Sequence, residues 1–268
     1  MKLGMIQMQV CADKDENLRR AKAGVERLAA QGADLVVLPE MFCCPYETAA
    51  FPMYAESFGE TVTETLSTIA REYNVILVGG SMPEREHERL YNTSFVFDRA
   101  GTLIARHRKA HLFDINLPGR QVFCESDTFT AGEDITVFDT EFGKIGLCIC
   151  FDIRFPELSR KMALLGAQLI VCPAAFNRTT GPVHWELLCR ARAVDNQVFF
   201  AAVSPAADES ASYVAYGHSL AVSPWGDVLV QAEEKPTELL VELDFAQNNE
   251  IRASLPLLTG LRPELYQL

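Results

Sequence analysis

Lys144-Ile-Gly-Leu-Cys-Ile-Cys150-Phe-Asp-Ile-Arg-Phe-Pro156-Glu-Leu158 places a cysteine between an apolar run and a proline. The run over 145–150 predicts a buried strand, and Pro156 suits the first turn of a following helix. Cys150 would then lie at a strand-to-helix turn, near the positive end of a helix dipole that can stabilise a thiolate. A cysteine in an apolar strand is more often a small core residue. The rest of the chain is therefore needed to decide whether Cys150 is a reactive thiol or a core residue.

Strand and helix patterns alternate upstream of this stretch. Residues 3–10 alternate as a strand, a helix begins at Asp13 with capping-box spacing and ends at Gly32, and the all-apolar run 34–38 predicts a strand buried on both faces. A helix over 61–73 and a strand over 75–78 follow. The later elements predicted are strands near 93–97, 102–107, 168–172, 198–203, 218–223, 227–231 and 238–243 and helices near 156–166 and 183–195. This order predicts an α/β protein, and the lack of a Gly/Ser/Pro linker favours one domain over residues 1–268.

The composition restricts the partners and the compartment. The 268 residues are 49% hydrophobic and 22% charged, and the formal net charge of -12 argues against nucleic acid or an anionic membrane as a partner. An anionic substrate would therefore need a local arginine or lysine. Several of the eight cysteines lie in apolar runs, as reduced core cysteines do, and no signal-peptide or membrane-spanning pattern is present. We expect a reducing cytoplasm.

Three polar residues stand at the ends of predicted strands, where α/β proteins place their sites. They are Glu40, Lys109 and Cys150. A carboxylate can take the proton of a thiol, and an ammonium can stabilise the oxyanion of a tetrahedral intermediate, so the three together suit acyl transfer. Taken singly, Glu40 could be a charge near a helix start and Lys109 a solvated cation, and periodicity does not show that they meet.

The joint pattern is more specific than its parts. Leu-Pro-Glu40, Arg-Lys109-Ala-His-Leu-Phe-Asp and Cys-Ile-Cys150-Phe-Asp-Ile-Arg-Phe-Pro-Glu resemble the carbon–nitrogen hydrolase (nitrilase) superfamily in order and spacing. The resemblance implies that Cys150 is the nucleophile, Glu40 the general base, Lys109 the oxyanion stabiliser and Glu125 an auxiliary glutamate. It also implies a four-layer αββα sandwich, no metal or organic cofactor, and a homodimer or higher oligomer formed through the face near the nucleophile helix.

Other stretches are similar to the omega-amidase branch of that superfamily. They include His111-Leu-Phe-Asp-Ile115, Ala175-Phe-Asn-Arg-Thr-Thr-Gly-Pro182 and Tyr216-Gly-His-Ser219. The likeness implies a small anionic substrate, a dicarboxylate monoamide of the 2-oxoglutaramate or 2-oxosuccinamate type, which loses ammonia through a thioester. Met41-Phe-Cys-Cys44 and Arg178 depart from the pattern of the branch, and both could reshape the pocket edge.

Arg154, four residues after the nucleophile, is the candidate that binds the substrate carboxylate. A guanidinium can hold a carboxylate through two hydrogen bonds, and the likeness to carbamoyl-hydrolysing enzymes implies this role. Tyr46, Phe151 and Thr179 are predicted to line the same pocket. Alternatively, Arg154 pairs with Asp152 or Glu157 and only braces the turn.

Other functions are weaker interpretations. Deaminated glutathione and N-carbamoyl amino acids are alternative substrates, a nitrile is less favoured, and a non-catalytic binding protein would need a lost catalytic residue. His107 and His111 are four residues apart, as metal ligands can be, but no third ligand follows at suitable spacing. Cys148 is two residues from Cys150 on one predicted strand, a spacing that suits core packing better than a disulfide.

Overall fold

The computed structural model describes residues 1–117, 119 and 121–266, and strands alternate with helices at the start of that part of the chain. The helices are α1 (Lys14–Ala30), α2 (Phe51–Tyr54), α3 (Thr61–Tyr73), α4 (Pro156–Leu164), α5 (Gly181–Asn196) and α6 (Ala246–Ser254). The strands are β1 (Lys2–Gln7), β2 (Leu35–Val37), β3 (Ile76–Val78), β4 (Met82–Glu86), β5 (Arg89–Phe97), β6 (Leu103–Arg108), β7 (Asp114–Leu117), β8 (Gln121–Cys124), β9 (Thr136–Thr140), β10 (Gly143–Leu147), β11 (Leu169–Pro173), β12 (Phe199–Val203), β13 (Leu220–Val222), β14 (Val228–Gln231) and β15 (Thr237–Glu242).

Two large sheets and one hairpin contain these strands. The first sheet runs β15-β1-β2-β3-β5-β4, with β6 also paired to β5, and the second runs β14-β13-β12-β11-β10-β9. In each sheet three strands are parallel, β1-β2-β3 in the first and β10-β11-β12 in the second. β7 and β8 pair as a separate hairpin. A functional site is therefore expected at the carboxyl ends of the parallel strands.

The sheets pack face to face, with helices on their outer faces, so the predicted four-layer αββα sandwich is confirmed. Leu3 and Met5 of β1 pack with Ile145 and Leu147 of β10 in the core between the sheets. On the outer face of the first sheet, Ile6 packs in a second core with residues of α1 and α3. Alternate residues of one strand thus enter different cores, because successive side chains point to opposite faces of a sheet.

The long helices follow the predicted periodicity. The side chain of Asp13 accepts the Glu16 amide at 3.0 Å and caps α1, while Leu18 and Val25 lie on its buried face. The helix predicted over 61–73 is α3 without change. No helix of the described ranges is long and apolar enough to cross a membrane.

The strand predicted over 145–150 ends early, and this prediction was wrong at its carboxyl end. β10 stops at Leu147, and Cys150 has φ 45°, a left-handed conformation that an extended strand does not allow. A five-residue 3-10 turn, Cys150–Arg154, lies between the strand and α4. Pro156 stands at the start of α4, as predicted.

Candidate active site

Lys109 lies between two buried glutamates. Its Nζ is 2.9 Å from Glu40 Oε1 and 2.8 Å from Glu125 Oε2, and all three side chains have no solvent exposure. Lys109 is the residue after β6, Glu40 lies in the turn that follows β2, and Glu125 begins the 3-10 turn after β8. Three of the four predicted catalytic residues are thus in direct contact.

Hydrogen bonds to backbone groups fix the positions of Glu125, Lys109 and the turn that carries Glu40. The Phe113 amide donates to Glu125 Oε2 at 2.6 Å, and the Lys109 amide donates to the Asn92 carbonyl at 2.8 Å. Met41, directly after Glu40, has φ 50° and donates its amide to the Ser81 hydroxyl at 3.1 Å. Glu40 therefore stands at a sharp turn that is anchored to the neighbouring chain segment.

Asn92, on β5, joins the two glutamates from another side. Its Nδ2 donates to Glu40 Oε1 at 2.8 Å and to Glu125 Oε1 at 3.0 Å, and the residue is 1% exposed. Glu40 Oε2 has no hydrogen-bond partner among the described residues. One oxygen of Glu40 is therefore left to interact with a reacting group.

Asp152 supports the turn that carries Cys150. Its carboxylate accepts the backbone amides of Ile149 and His111, each at 2.9 Å, and contacts the His111 ring at 2.7 Å and the His107 ring at 3.1 Å. Burial acts to raise the pKa of Asp152, but the two histidines outweigh it and hold that pKa far below the usual range. Both histidines that suggested a metal site thus face one carboxylate. In residues 1–117, 119 and 121–266 no group of three or more His, Cys, Asp and Glu side chains could hold a metal ion.

The electrostatics of the site favour a thiol at rest. Burial and the Glu40 carboxylate raise the pKa of Cys150 well above its usual value, against the opposing effects of Lys109 and the Ala175 amide. The direction of this shift opposes the helix-dipole stabilisation of a thiolate that the sequence suggested. Burial also raises the pKa of Glu40, which Lys109 partly offsets. Burial acts to lower the pKa of Lys109, but Glu125 and Glu40 outweigh it and keep that pKa well above its usual value.

This arrangement can perform nucleophilic acyl transfer. A protonated thiol needs a base, and Glu40 is a carboxylate whose raised pKa brings it closer to neutral pH. Lys109 stays an ammonium and can stabilise a negative oxygen in a buried site.

Arg154 faces aromatic rings rather than a carboxylate. Its guanidinium lies 4.9 Å from the centre of the Phe176 ring and 5.5 Å from that of Phe151, and Nη1 is 3.3 Å from His184 Nδ1. Among the described residues no carboxylate oxygen lies within 4.0 Å of it, so the alternative pairing with Asp152 or Glu157 does not form. Burial lowers the pKa of Arg154 from its usual value.

Arg154 and Cys150 share a narrow crevice with room for about 10 Å³, roughly one water molecule. Phe151 also lines it, as predicted. Thr179 is not among its lining residues, whereas the next residue, Thr180, is. Thr179 donates its backbone amide to Asn177 Oδ1 at 3.0 Å.

A larger cavity of about 350 Å³ reaches Glu40 from the other side of Tyr213. Tyr46 lines this cavity, and its hydroxyl is 3.5 Å from Glu40 Oε1. The Tyr46 and Tyr213 rings lie 4.5 Å apart, and Tyr213 lines both spaces. Cys44 belongs to the stretch 41–44 that departs from the pattern of the omega-amidase branch, and it also lines the cavity. Arg178 is not, and its guanidinium pairs with Glu234 at 3.0 Å and with Glu209.

Known proteins are similar to this sequence over nearly its full length. A sequence model described as carbon-nitrogen hydrolase matches residues 2–253. The chain belongs to the carbon–nitrogen hydrolase family. It is 50% identical to omega-amidase NIT2 of Mus musculus over 99% of this chain and 96% of that protein, and 47% identical to omega-amidase NIT2 of Homo sapiens over the same shares.

Solved structures of carbon–nitrogen hydrolases have the same fold. The nitrilase superfamily member Nit3 of Saccharomyces cerevisiae matches with a TM-score of 0.88 and 40% identity, over 96% of this chain and 94% of that one. A glutamate-to-glutamine mutant of the amidase from Nesterenkonia sp. AN1 matches with a TM-score of 0.79 and 26% identity, over 99% and 95%. That mutant carries the acetamide moiety of fluoroacetamide on its active-site cysteine. The protein is accordingly a hydrolase that acts on amides.

Sequence reasoning missed several residues of this carbon–nitrogen hydrolase site. Asn92 contacts Glu40 and Glu125, Asp152 accepts the Ile149 amide beside Cys150, and Tyr213 lines both spaces. A signal for Asn92 was available, because Asn92-Thr-Ser94 is a polar run at the start of the strand predicted near 93–97. Tyr213 lies outside every named strand and helix, so no periodicity pointed to it.

Proposed function

We propose that this protein releases ammonia from the terminal amide of small dicarboxylate monoamides, of the 2-oxoglutaramate and 2-oxosuccinamate type. The observation that carries the proposal is the Arg154 guanidinium, which shares a crevice with Cys150 and has no carboxylate partner in the described part of the chain. The relatives named omega-amidase, 47–50% identical over nearly all of the chain, support the same substrate class.

The charge of Arg154 favours an anionic substrate. A partly buried guanidinium that lacks an ionic partner has lost hydration for which its ring contacts and the His184 contact compensate only in part, and a bound carboxylate would supply the missing charge partner. The planar fork of arginine fits a carboxylate through two hydrogen bonds. In a chain of net charge -12, this local cation offsets the overall repulsion of an anion.

The proposed reaction begins at the Cys150 thiol. Glu40 takes the thiol proton as sulfur attacks the amide carbon, and Lys109 stabilises the oxyanion that forms. The tetrahedral intermediate then collapses: the carbon–nitrogen bond breaks, Glu40 returns its proton to the leaving nitrogen, and ammonia departs. Water, activated by Glu40, hydrolyses the thioester to the carboxylate and restores the thiol.

Glu125 has a supporting part in this scheme. One of its oxygens, Oε2, accepts both the Lys109 ammonium and the Phe113 amide, while Oε1 accepts Asn92. With every acceptor engaged, Glu125 fixes the position of Lys109 and carries no proton in the reaction. Phe151 and Tyr46 would enclose the substrate, and Thr180 replaces Thr179 as the hydroxyl nearest the crevice.

The protein is also proposed to form a homodimer or higher oligomer. Val183 and Leu187 of α5 are 65% and 63% exposed, and Trp225 is 62% exposed. Large apolar side chains at helical spacing on an outer surface are typical of an interface. α5 packs beside α4, the helix after the nucleophile turn, which agrees with the face expected from the family resemblance.

The proposed compartment is the reducing cytoplasm. All eight cysteines are free thiols, and Cys43, Cys44, Cys148, Cys172 and Cys189 are buried. A chain that relies on a reactive thiol and on unpaired core cysteines is suited to a reducing environment.

The decisive experiment compares amides that do and do not carry a carboxylate. Ammonia release is measured with 2-oxoglutaramate, succinamate, butyramide, deaminated glutathione and an N-carbamoyl amino acid. We expect kcat/KM to be highest for the first two. A preference for butyramide would overturn the anionic substrate class. A preference for an N-carbamoyl amino acid or for deaminated glutathione would mean that this compound, and not a dicarboxylate monoamide, represents the substrate class.

The role of Arg154 is tested in the same assay. Arg154→Lys keeps the charge and loses the bidentate fork, so KM for succinamate should rise by about tenfold while the kinetics with butyramide change little. Arg262→Lys is the matched control, because Arg262 is exposed and pairs with Glu264. Equal losses on both substrates would assign Arg154 to structure and leave the carboxylate site elsewhere.

A further inference from the structure

We infer that Asn92 is a positioning residue for catalysis, which occupies Glu40 Oε1 and so directs proton transfer to Glu40 Oε2. The inference rests on the proposed role of Glu40 as the base. It assigns a function to a strand residue that does not itself touch the reacting atoms.

The geometry of Asn92 requires an amide at this position. Nδ2 is 2.8 Å from Glu40 Oε1 and 3.0 Å from Glu125 Oε1, and both acceptors are carboxylate oxygens. Only a group with two hydrogens on one atom can donate to both at once. Aspartate has the same shape but no hydrogen to donate when ionised.

Asn92 and Lys109 donate to the same oxygen of Glu40 and to different oxygens of Glu125. Lys109 Nζ donates to Glu40 Oε1 and Glu125 Oε2, and Asn92 donates to Glu40 Oε1 and Glu125 Oε1. With the Tyr46 hydroxyl at 3.5 Å, Glu40 Oε1 accepts three hydrogen bonds, while Oε2 accepts none from the described residues. An oxygen that accepts several charge-stabilising donors is the poorer proton acceptor, so the proton goes to Oε2.

The main chain of Asn92 contacts Lys109. Its carbonyl accepts the Lys109 amide at 2.8 Å, directly after β6. One residue of β5 thus fixes the side chains of Glu40 and Glu125 and the backbone of Lys109. Asn92 is absent from the described linings of the crevice and of the larger cavity, so it acts through these residues.

Asn92 also affects the pH at which Glu40 is ionised. Its hydrogen bond favours the carboxylate form of Glu40, against burial and against the like charge of Glu125, both of which raise the pKa. Removing the donor should raise the pKa of Glu40 further. The acidic limb of the activity profile would then move to higher pH.

The test is Asn92→Leu, which has nearly the same shape, removes both donors and adds no charge, with Ser94→Ala as the matched control. Ser94 lies two residues further on β5, is also buried, and has no hydrogen-bond partner for its hydroxyl among the described residues. We expect Asn92→Leu to lower kcat by about 10- to 100-fold with little change in KM, and to shift the acidic limb upward. Asn92→Ser, which keeps one donor, should fall between Asn92→Leu and wild type.

A second readout needs no substrate. The rate at which iodoacetamide alkylates Cys150 is measured against pH, because thiol activation also depends on Glu40. Asn92→Leu should shift this profile to higher pH, whether or not a monoamide is the substrate. The inference is overturned if Asn92→Leu and Ser94→Ala lose the same activity, or if Asn92→Leu lowers only the unfolding temperature and leaves both pH profiles in place.

Discussion

Lys109 holds Glu40 through one oxygen: Nζ lies 2.9 Å from Oε1, and Oε2 has no hydrogen-bond partner among the described residues. The ammonium compensates the buried charge of the glutamate without occupying both of its oxygens. Charge compensation and proton transfer are thereby assigned to different atoms of one carboxylate. A base in a dry site has to satisfy both needs, because an isolated buried carboxylate is unstable.

The first prediction concerns this pair. Glu40→Gln removes the proton acceptor and Lys109→Met removes the cation that faces the oxyanion. Each variant should lower kcat/KM for ammonia release by about 10²- to 10³-fold, since one electrostatic partner typically contributes that much.

An exposed ion pair supplies the control for this prediction. Lys22 and Glu72 are 2.8 Å apart on the surface, and Lys22→Met and Glu72→Gln make the same chemical changes there. These two variants should keep wild-type rates. Near wild-type turnover in both Glu40→Gln and Lys109→Met would show that the assigned roles are wrong.

The second prediction is a thioester on Cys150. Cys150→Ala should fold and have no activity, because Cys150 is the one thiol among the described residues that line the crevice beside Arg154. Rapid acid quenching of the wild-type enzyme during turnover of succinamate, followed by peptide mass analysis, should place the acyl group on this residue. Cys148→Ala is the matched control, since Cys148 is also a buried thiol only two residues away. An acyl group on Cys148, or activity in Cys150→Ala, would contradict the mechanism.

The third prediction is the pH dependence of kcat/KM. Burial raises the pKa of Glu40 above its usual value of 4.5, so the active carboxylate is lost as the pH falls through a value higher than that. The acidic limb should therefore lie above the range of an ordinary glutamate. Burial raises the pKa of the Cys150 thiol as well. We therefore expect no increase in kcat/KM over the pH range in which a free cysteine titrates. A limb at or below pH 4.5 would show that Glu40 is not the base.

Strong periodicity made much of the fold predictable. α3 has the predicted bounds, and β12 and β14 begin within one residue of the prediction. Most elements that were missed are short: α2, β7 and β8 contain four residues each, and β4 and β9 contain five. Elements of this length are too short to establish a period, so tertiary packing decides their structure. The nine-residue α6 was missed as well.

The sequence located the proposed catalytic residues better than it located the residues that support them. Glu40 and Lys109 each follow a strand, so position along the chain made them candidates, and the family resemblance implied their roles. Asn92 was missed because its two acceptors, 52 and 33 residues away, are brought together only by the folded sheet. The choice between Thr179 and Thr180 depends on how the chain turns after β11, which residue type alone does not determine.

The last prediction concerns Asp152, which accepts two backbone amides and contacts two histidine rings. Asp152→Asn should lower the free energy of unfolding by about 1–3 kcal/mol at pH 7, because buried donors lose their charged acceptor. It should also lower kcat, since the left-handed turn at Cys150 is no longer fixed. Asp15→Asn, on the exposed first turn of α1, is the control and should change neither quantity.

The pH dependence of this effect distinguishes the charge of Asp152 from its shape. The pKa of Asp152 is lowered in the folded protein from a usual value of 3.8, so its stabilising effect is complete above that value and is lost as the pH falls below it. In urea unfolding, the difference between wild type and Asp152→Asn should therefore shrink from about pH 5 to about pH 3. A constant difference over this range would mean that Asp152 acts by packing, and that its ionised form does not brace the nucleophile turn.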